Sequence, residues 1–189
     1  MKRQYALISC LAAIIVVLDQ WTKQIVLENL QTVGQNLPFL SWWKWTLVHN
    51  YGIVFGILNP PPAWLPDILA RSILFLLPFV VLGFVWWSYV RHFAKNEIYR
   101  PVIVGLIVGG AIGNIIDRLR FGYVIDFVDW FYPSLNNNCI NPFYSVGEGN
   151  CHWPVFNVAD AAVSSALFLL MIEMLFLQKK YDKTDKPRS

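Results

Sequence analysis

Four stretches of the chain are almost continuously apolar, and its polar residues gather between and after them. The apolar runs cover about Tyr5–Lys23, Arg71–Val90, Pro101–Leu119 and Val158–Leu177. Each is near the ~20 residues that a helix needs to cross the hydrocarbon of a bilayer, so the pattern predicts four transmembrane helices. Pro78 lies inside the second and predicts a kink there. In the third, Gly105, Gly109 and Gly113 recur every four residues and line one helix face. A small-residue stripe of this kind lets another helix approach closely. Gly110, Asn114 and Asp117 form the neighbouring face, so polar groups sit beside a packing seam at one end of the span.

The segments between the runs read differently. Within Glu28–Ala70, Ser41–Val48 (SWWKWTLV) has strand character, although its tryptophans also suit the headgroup level of a membrane. Asn50-Tyr51-Gly52 is a turn signal before the apolar Ile53–Leu58, and Asn59-Pro60-Pro61-Pro62 stops any helix. Trp64–Leu69 is expected to begin an interfacial helix leading into the second span. Within Phe121–Val155, Gly122–Phe127 has strand character, whereas Asn136–Asn138, Gly147 and Gly149 mark a loop. Asn157 is a good N-cap for the last run and puts Asp160 in its first turn.

Composition agrees with a membrane protein. Hydrophobic residues make up 56% of the chain and charged residues only 14%, against roughly 25% charged in soluble domains. One membrane-embedded domain over 1–189 is the natural reading. The net charge of +3 says little until it is distributed. Lys2 and Arg3, then Arg91, Lys95 and Arg100, then Lys179, Lys180, Lys183, Lys186 and Arg188 place ten of the 15 basic residues on one side. That side is expected to be cytoplasmic, with both termini and a 178–189 tail there. Glu173, near the inner end of the last span, is expected to reach towards Lys179 and Lys180. Leu7-Ile8-Ser9-Cys10 matches a lipoprotein-processing box, but the apolar run before Cys10 is too short for a cleaved signal and continues to Leu18. An uncleaved anchor with Cys10 as a small buried residue is expected. No basic run or nucleic-acid motif is present, so nucleic acid is not an expected partner.

The chemistry narrows by what remains. His49, His92 and His152 are scattered, and no HExxH is present, so no metal is expected. Neither a Gly-x-Ser-x-Gly elbow nor a nucleotide-binding glycine motif occurs, and no cofactor is implied. What remains are the acids predicted at the outer ends of the spans: Asp19, Asp117, Asp126, Asp129 and Asp160. A transporter would carry its acids nearer the midplane. Two carboxylates held close share a proton, and such a pair can activate water against a peptide carbonyl. Plainer roles stay open for individual residues. Asp19 and Lys23, one turn apart, suit a simple ion pair, and Asp160 suits helix capping. Cys139 and Cys151 fall in the second outer segment, an oxidising setting in which a disulfide between them is plausible.

Five ordered motifs carry a family resemblance: Asp19-Gln20-Trp21-Thr22-Lys23, Asn50-Tyr51-Gly52, Gly110-Ala111-Ile112-Gly113-Asn114-Ile115-Ile116-Asp117-Arg118, Gly122-Tyr123-Val124-Ile125-Asp126-Phe127, and Phe156-Asn157-Val158-Ala159-Asp160. On these the chain resembles the bacterial lipoprotein signal peptidases (signal peptidase II). The resemblance implies an intramembrane aspartyl endopeptidase of the bacterial inner membrane, with Asp126 and Asp160 as the catalytic pair at the periplasmic face. It implies that Asp19, Lys23, Asn50, Gly110, Asn114, Arg118 and Asn157 shape the site. It also implies a small periplasmic sheet resting on the membrane and a short interfacial helix over the site. The implied substrate is a diacylglyceryl-modified prolipoprotein cleaved just before its lipidated cysteine. Membrane lipids are the other implied partner, and no oligomer is. Two departures stand out: Val54 replaces the family's usual alanine, and the interval from Asp126 to Asp160 is longer than usual. The added length lies in Ser134–His152 and is expected to be a surface excursion.

Overall fold

The structure is a computed structural model that describes residues 2–52, 67–91, 99–134, 139, 144–145, 150–173 and 175. The elements in order are α1 (Lys2–Asn29), β1 (Asn36–Leu40), β2 (Trp43–Asn50), α2 (Asp67–Arg91), α3 (Tyr99–Phe121), β3 (Val124–Pro133), β4 (Tyr144–Ser145), β5 (Asn150–His152) and α4 (Val158–Ile172). Helices therefore form at all four predicted runs. Of these, α1 and α3 are long and apolar enough to cross a membrane, while α2 and α4 contain the shorter apolar helices Phe75–Trp87 and Val158–Ile172. The outward faces of α1 (Ile14, Val17), α2 (Val80, Phe84) and α4 (Leu167, Phe168) expose large apolar side chains. Such faces suit hydrocarbon rather than water.

The centre of the bundle is α3. It packs on α1 and α4 most extensively and on α2 more lightly. Its glycines make this possible on two sides. A Cβ built on Gly109 would lie 3.0 Å from the Ala12 backbone, and one on Gly105 would lie 3.1 Å from the Leu11 side chain. A Cβ on Gly110 would instead meet the Ala159 carbonyl oxygen at 2.5 Å, on α4. Pro101 fits the first turn of α3, where its missing N–H costs nothing. At the other end, Gly122 (φ +81°) takes the left-handed conformation that ends the helix, and its N–H donates to the Arg118 carbonyl.

The five strands form one antiparallel sheet in the order β1-β2-β3-β5-β4. Its inner face puts Leu47, Ile125 and Phe127 with Val26 and Leu30 from the end of α1 and Phe156 from the approach to α4. That packing explains why α1 runs past the predicted Lys23 to Asn29.

Several expectations need correction. Cys10 is exposed on α1 rather than buried, because the packing face of α1 carries Ile8, Ala12, Asp19 and Lys23 instead. Lys179 and Lys180, towards which Glu173 is expected to reach, lie outside the described residues, and the contact seen for Glu173 is with α3. Glu173 accepts from Arg100 Nε (2.9 Å) and Nη2 (2.8 Å), because α4 runs antiparallel to α3 and ends beside its start. The excursion at Ser134–His152 is not wholly superficial: β5 pairs with the far end of β3, and Cys151 and His152 are buried. The expected turn at Asn59–Pro62, the first half of the interfacial helix at Trp64–Leu69, Val54 and the 178–189 tail lie outside the described residues, while Asp67–Leu69 open α2.

Candidate active site

Four elements deliver acids to the end of the bundle where the sheet begins. Asp19 comes from α1, Asp117 from α3, Asp126 from β3 and Asp160 from α4, and all four are buried. Asn157 caps α4 in an extended conformation (φ −126°, ψ −177°), with its Oδ1 accepting from the Asp160 N–H at 2.8 Å. This fixes Asp160 in the first turn. Asp126 sits opposite Val48 in the β2–β3 ladder, and Asn50 lies opposite Val124, so the end of β2 brings Asn50 to the same place.

Two asparagines join the carboxylates. Asn157 Nδ2 donates to Asp126 Oδ1 at 2.7 Å, and Asn114 Nδ2 donates to Asp160 Oδ1 at 2.8 Å. The two amides are themselves linked, Asn157 Nδ2 lying 3.1 Å from Asn114 Oδ1. Asn50 Nδ2 donates to the other oxygen of Asp126 at 2.9 Å, and Asn50 Oδ1 accepts from Gly52 N–H at 2.7 Å. Hydrogen bonds of this density make a buried polar network rigid. Burial first, and then the neighbouring Asp160 charge, hold the Asp126 carboxyl well above the usual carboxylate range, against the opposing pull of Asn50, Lys23 and Asn157. Both causes disfavour the ionised form of Asp126.

A cationic support lies behind the pair. Lys23 Nζ contacts Asp19 Oδ2 (2.8 Å), Asp117 Oδ2 (2.8 Å) and Asn114 Oδ1 (3.2 Å). Asp19 reaches on to accept from the Ala159 N–H of α4 at 3.0 Å. Arg118 Nη2 donates to the Gly52 carbonyl at 2.8 Å, tying α3 to the turn after Asn50. In front is a cavity of about 140 Å³. Asn50, Asn114, Arg118 and Asp160 give it a polar end, while Leu77, Val81, Ile107 and Val163 are among its apolar walls.

All nine residues implied for the site thus converge: Asp126, Asp160, Asp19, Lys23, Asn50, Asn114, Arg118 and Asn157 through their side chains, and Gly110 as the contact against Ala159. Asp129 does not join them. Its carboxylate is taken up in the sheet by Thr46 Oγ1 (2.7 Å), His152 Nδ1 (2.6 Å) and Lys44 Nζ (3.6 Å). Cys139 and Cys151 are joined by a disulfide beside this cluster. Among the described residues no group of three or more metal-ligating side chains occurs. Sequence reasoning passed over Gln20, whose Nε2 donates to Asp117 Oδ1 at 2.9 Å. Its place next to Asp19 and one turn from Lys23 was the available signal.

The chain is similar in sequence and in fold to known proteins. Residues 11–176 match the family profile described as Signal peptidase (SPase) II. A protein of Acinetobacter baumannii named Lipoprotein signal peptidase is 35% identical over 173 residues, covering 92% of this chain and 85% of its own. A protein of the same name from Alteromonas mediterranea is 33% identical over 164 residues, covering 87% of this chain and 78% of its own. A solved structure described as a bacterial membrane enzyme superposes with a TM-score of 0.69 at 23% identity, over 96% of this chain and 94% of that one. At that identity the likeness is one of fold.

Proposed function

Since the chain belongs to the signal peptidase II family of membrane proteases that process lipoproteins, we propose that Asp126 and Asp160 are its catalytic residues and act as an aspartyl pair. One observation carries this reading: two buried carboxylates, from β3 and α4, are stitched together by Asn114 and Asn157, and Asp160 lines the cavity. The pair holds one proton. The ionised member accepts a proton from a water molecule as its oxygen attacks the scissile carbonyl, while the protonated member hydrogen-bonds the carbonyl oxygen and passes its proton to it. Collapse of the resulting gem-diol breaks the C–N bond, with a proton delivered to the leaving amine. Asn50, Asn114 and Asn157 keep both carboxylates oriented, and Asp19, Lys23 and Arg118 set the charge around them. Neither a metal nor a cofactor has a part in this scheme.

The substrate is a diacylglyceryl-modified prolipoprotein, cut on the N-terminal side of the lipidated cysteine. Apolar walls from α2, α3 and α4 next to a polar end suit a signal helix that arrives from the bilayer. All four helices span the membrane, with both termini cytoplasmic and the sheet and acids at the periplasmic face of the inner membrane. The crowding of basic residues at the opposite end supports this orientation.

Cleavage of a diacylated prolipoprotein in detergent, followed by gel shift, tests the proposal. Wild type and Asp129→Asn are expected to cleave, whereas Asp126→Asn and Asp160→Asn are expected to be inactive though folded. Activity in either dyad variant, or loss in Asp129→Asn alone, overturns the assignment.

A further inference from the structure

The Asp126 carboxylate can be no better placed than the backbone that carries it. Over Ile125–Val128, one edge of β3 is occupied by β2. Among the described residues the other edge has no strand partner here, since β5 pairs with Phe131–Pro133. Its backbone groups are satisfied by single residues instead. The Phe156 carbonyl accepts from Phe127 and Val128 N–H at 3.1 and 2.8 Å. Asp117 Oδ2 accepts from Ile125 N–H at 3.0 Å. The Ile125 carbonyl, on the peptide leading into Asp126, lies 3.3 Å from Asn157 Nδ2.

Asp117 is itself fully constrained. It is 1% exposed, its Oδ2 also contacts Lys23, and its Oδ1 accepts from Gln20. Gln20 Nε2 further lies 3.2 Å from both the Gly113 carbonyl and Asp19 Oδ2, and Arg120 Nη1 lies 3.5 Å from Gln20 Oε1. A chain of contacts thus runs from α1 through the end of α3 into the strand position before Asp126.

Resting on the activity proposed above, we infer that Gln20 and Asp117 are positioning residues that hold the Ile125–Asp126 backbone, and with it the Asp126 carboxylate, in register with Asp160. Neither reaches the substrate. A buried backbone N–H deprived of its acceptor is costly, so without Asp117 the strand shifts to find another partner. A displacement of about 1 Å at a reacting group costs on the order of 100-fold in rate. Charge enters as well. The charged groups around the dyad are Asp19 and Lys23 on α1 and Asp117 and Arg118 on α3. Removing the anion at Asp117 leaves Lys23 less neutralised, which favours ionised dyad carboxylates and moves the pH–rate profile to lower pH.

The test compares wild type, Asp117→Asn, Asp117→Ala, Gln20→Met and Asp126→Asn in the same cleavage assay, each folded by thermal melt. Asp117→Ala is expected to lose roughly 100-fold in kcat with KM within about twofold. Asp117→Asn keeps an acceptor for Ile125 N–H, so it recovers most of that loss while its pH–rate profile moves to lower pH. Gln20→Met removes one clamp without altering any charge and is expected to lose about 3- to 10-fold in kcat with the profile unmoved. The inference is overturned if folded Asp117→Ala matches wild type, or if Asp117→Asn is as impaired as the alanine variant with an unmoved profile. If wild type itself fails to cleave, or Asp126→Asn cleaves, the underlying activity reading is what fails.

Discussion

Replacing Gly110 by alanine isolates the role of helix spacing at the site. The new Cβ would stand 2.5 Å from the Ala159 carbonyl oxygen and 2.7 Å from Val163 Cγ2, where ordinary contact begins at 3.4 Å. The first obstacle is backbone, so rotamer changes cannot relieve it. Locally, α3 and α4 must part by about 0.9 Å, the difference between those two oxygen distances. Ala159 immediately precedes Asp160, and Asn114 lies one turn beyond Gly110, so the same movement strains the 2.8 Å Asn114–Asp160 hydrogen bond. Overpacking of this kind costs about 1–3 kcal/mol, offset by the ~1 kcal/mol that alanine gains over glycine inside a helix. Net destabilisation is therefore modest, on the order of 1 kcal/mol, whereas activity is expected to fall about 100-fold through misplacement of the carboxylate. Gly105→Ala is the control. Its Cβ would meet the Leu11 side chain at 3.1 Å and the Ile8 carbonyl at 3.3 Å, contacts that small adjustments relieve. Prolipoprotein cleavage rates and thermal melts of both variants in detergent give the answer. Wild-type kcat in a folded Gly110→Ala enzyme, or equal losses in the two variants, would refute the claim that helix spacing sets the dyad.

Other perturbations separate stability from chemistry. Burial raises the folded-state pKa of Asp126 above its unfolded value, so its contribution to stability is complete below about pH 4 and is lost as pH rises towards the raised value. Asp126→Asn is thus expected to be inactive yet more stable than wild type at pH 7, by on the order of 1 kcal/mol, with the gap closing in acid; thermal melts across pH would show it. Reducing the Cys139–Cys151 disulfide, which closes a loop with a sequence separation of 12, is expected to remove roughly 3 kcal/mol and lower Tm while leaving kcat within a few-fold. An unchanged Tm on reduction would count against that. Glu173→Gln breaks the contacts with Arg100, roughly 20 Å along α3 from Asn114. It is expected to cost about 1 kcal/mol of stability with kcat/KM unchanged, because this pair is only partly buried.

Much of the site was legible because membrane spans make polar residues conspicuous. Asn114 and Asp117 on a glycine-bearing helix, and Asp160 behind a capping asparagine, stand out against apolar neighbours, and the structure brings them to one end of the bundle. Periodicity also anticipated which face of α3 would be approached closely, although not that Gly110 would serve a different helix from Gly105 and Gly109. What stayed hidden depends on contacts distant in sequence. Asp126 and Asp129 look alike along β3, and only the arrival of Thr46 and His152 from other strands turns Asp129 into a tie within the sheet. Gln20 resembles any polar residue at a helix end until Asp117, 97 residues later, is placed against it. The β4–β5 pair lies in a stretch rich in asparagine and glycine, where turn signals outweigh the few residues that form the ladder.

The bond from the Ala159 N–H to Asp19 spans 140 residues and joins the last helix to the first. Its consequence concerns the order in which the protein is made. A growing chain that has completed α1, α2 and α3 already contains Lys23, Asp117 and Asn114, but it lacks Asp160 and offers Asp19 no helix end to receive. The arrival of α4 supplies the second carboxylate and engages Asp19 in one event. On the proposed mechanism, a half-synthesised chain is proteolytically silent in a membrane crowded with other nascent polypeptides. Fragments ending at Gly149 and beginning at Asn150 would accordingly be inert apart and active only when they meet.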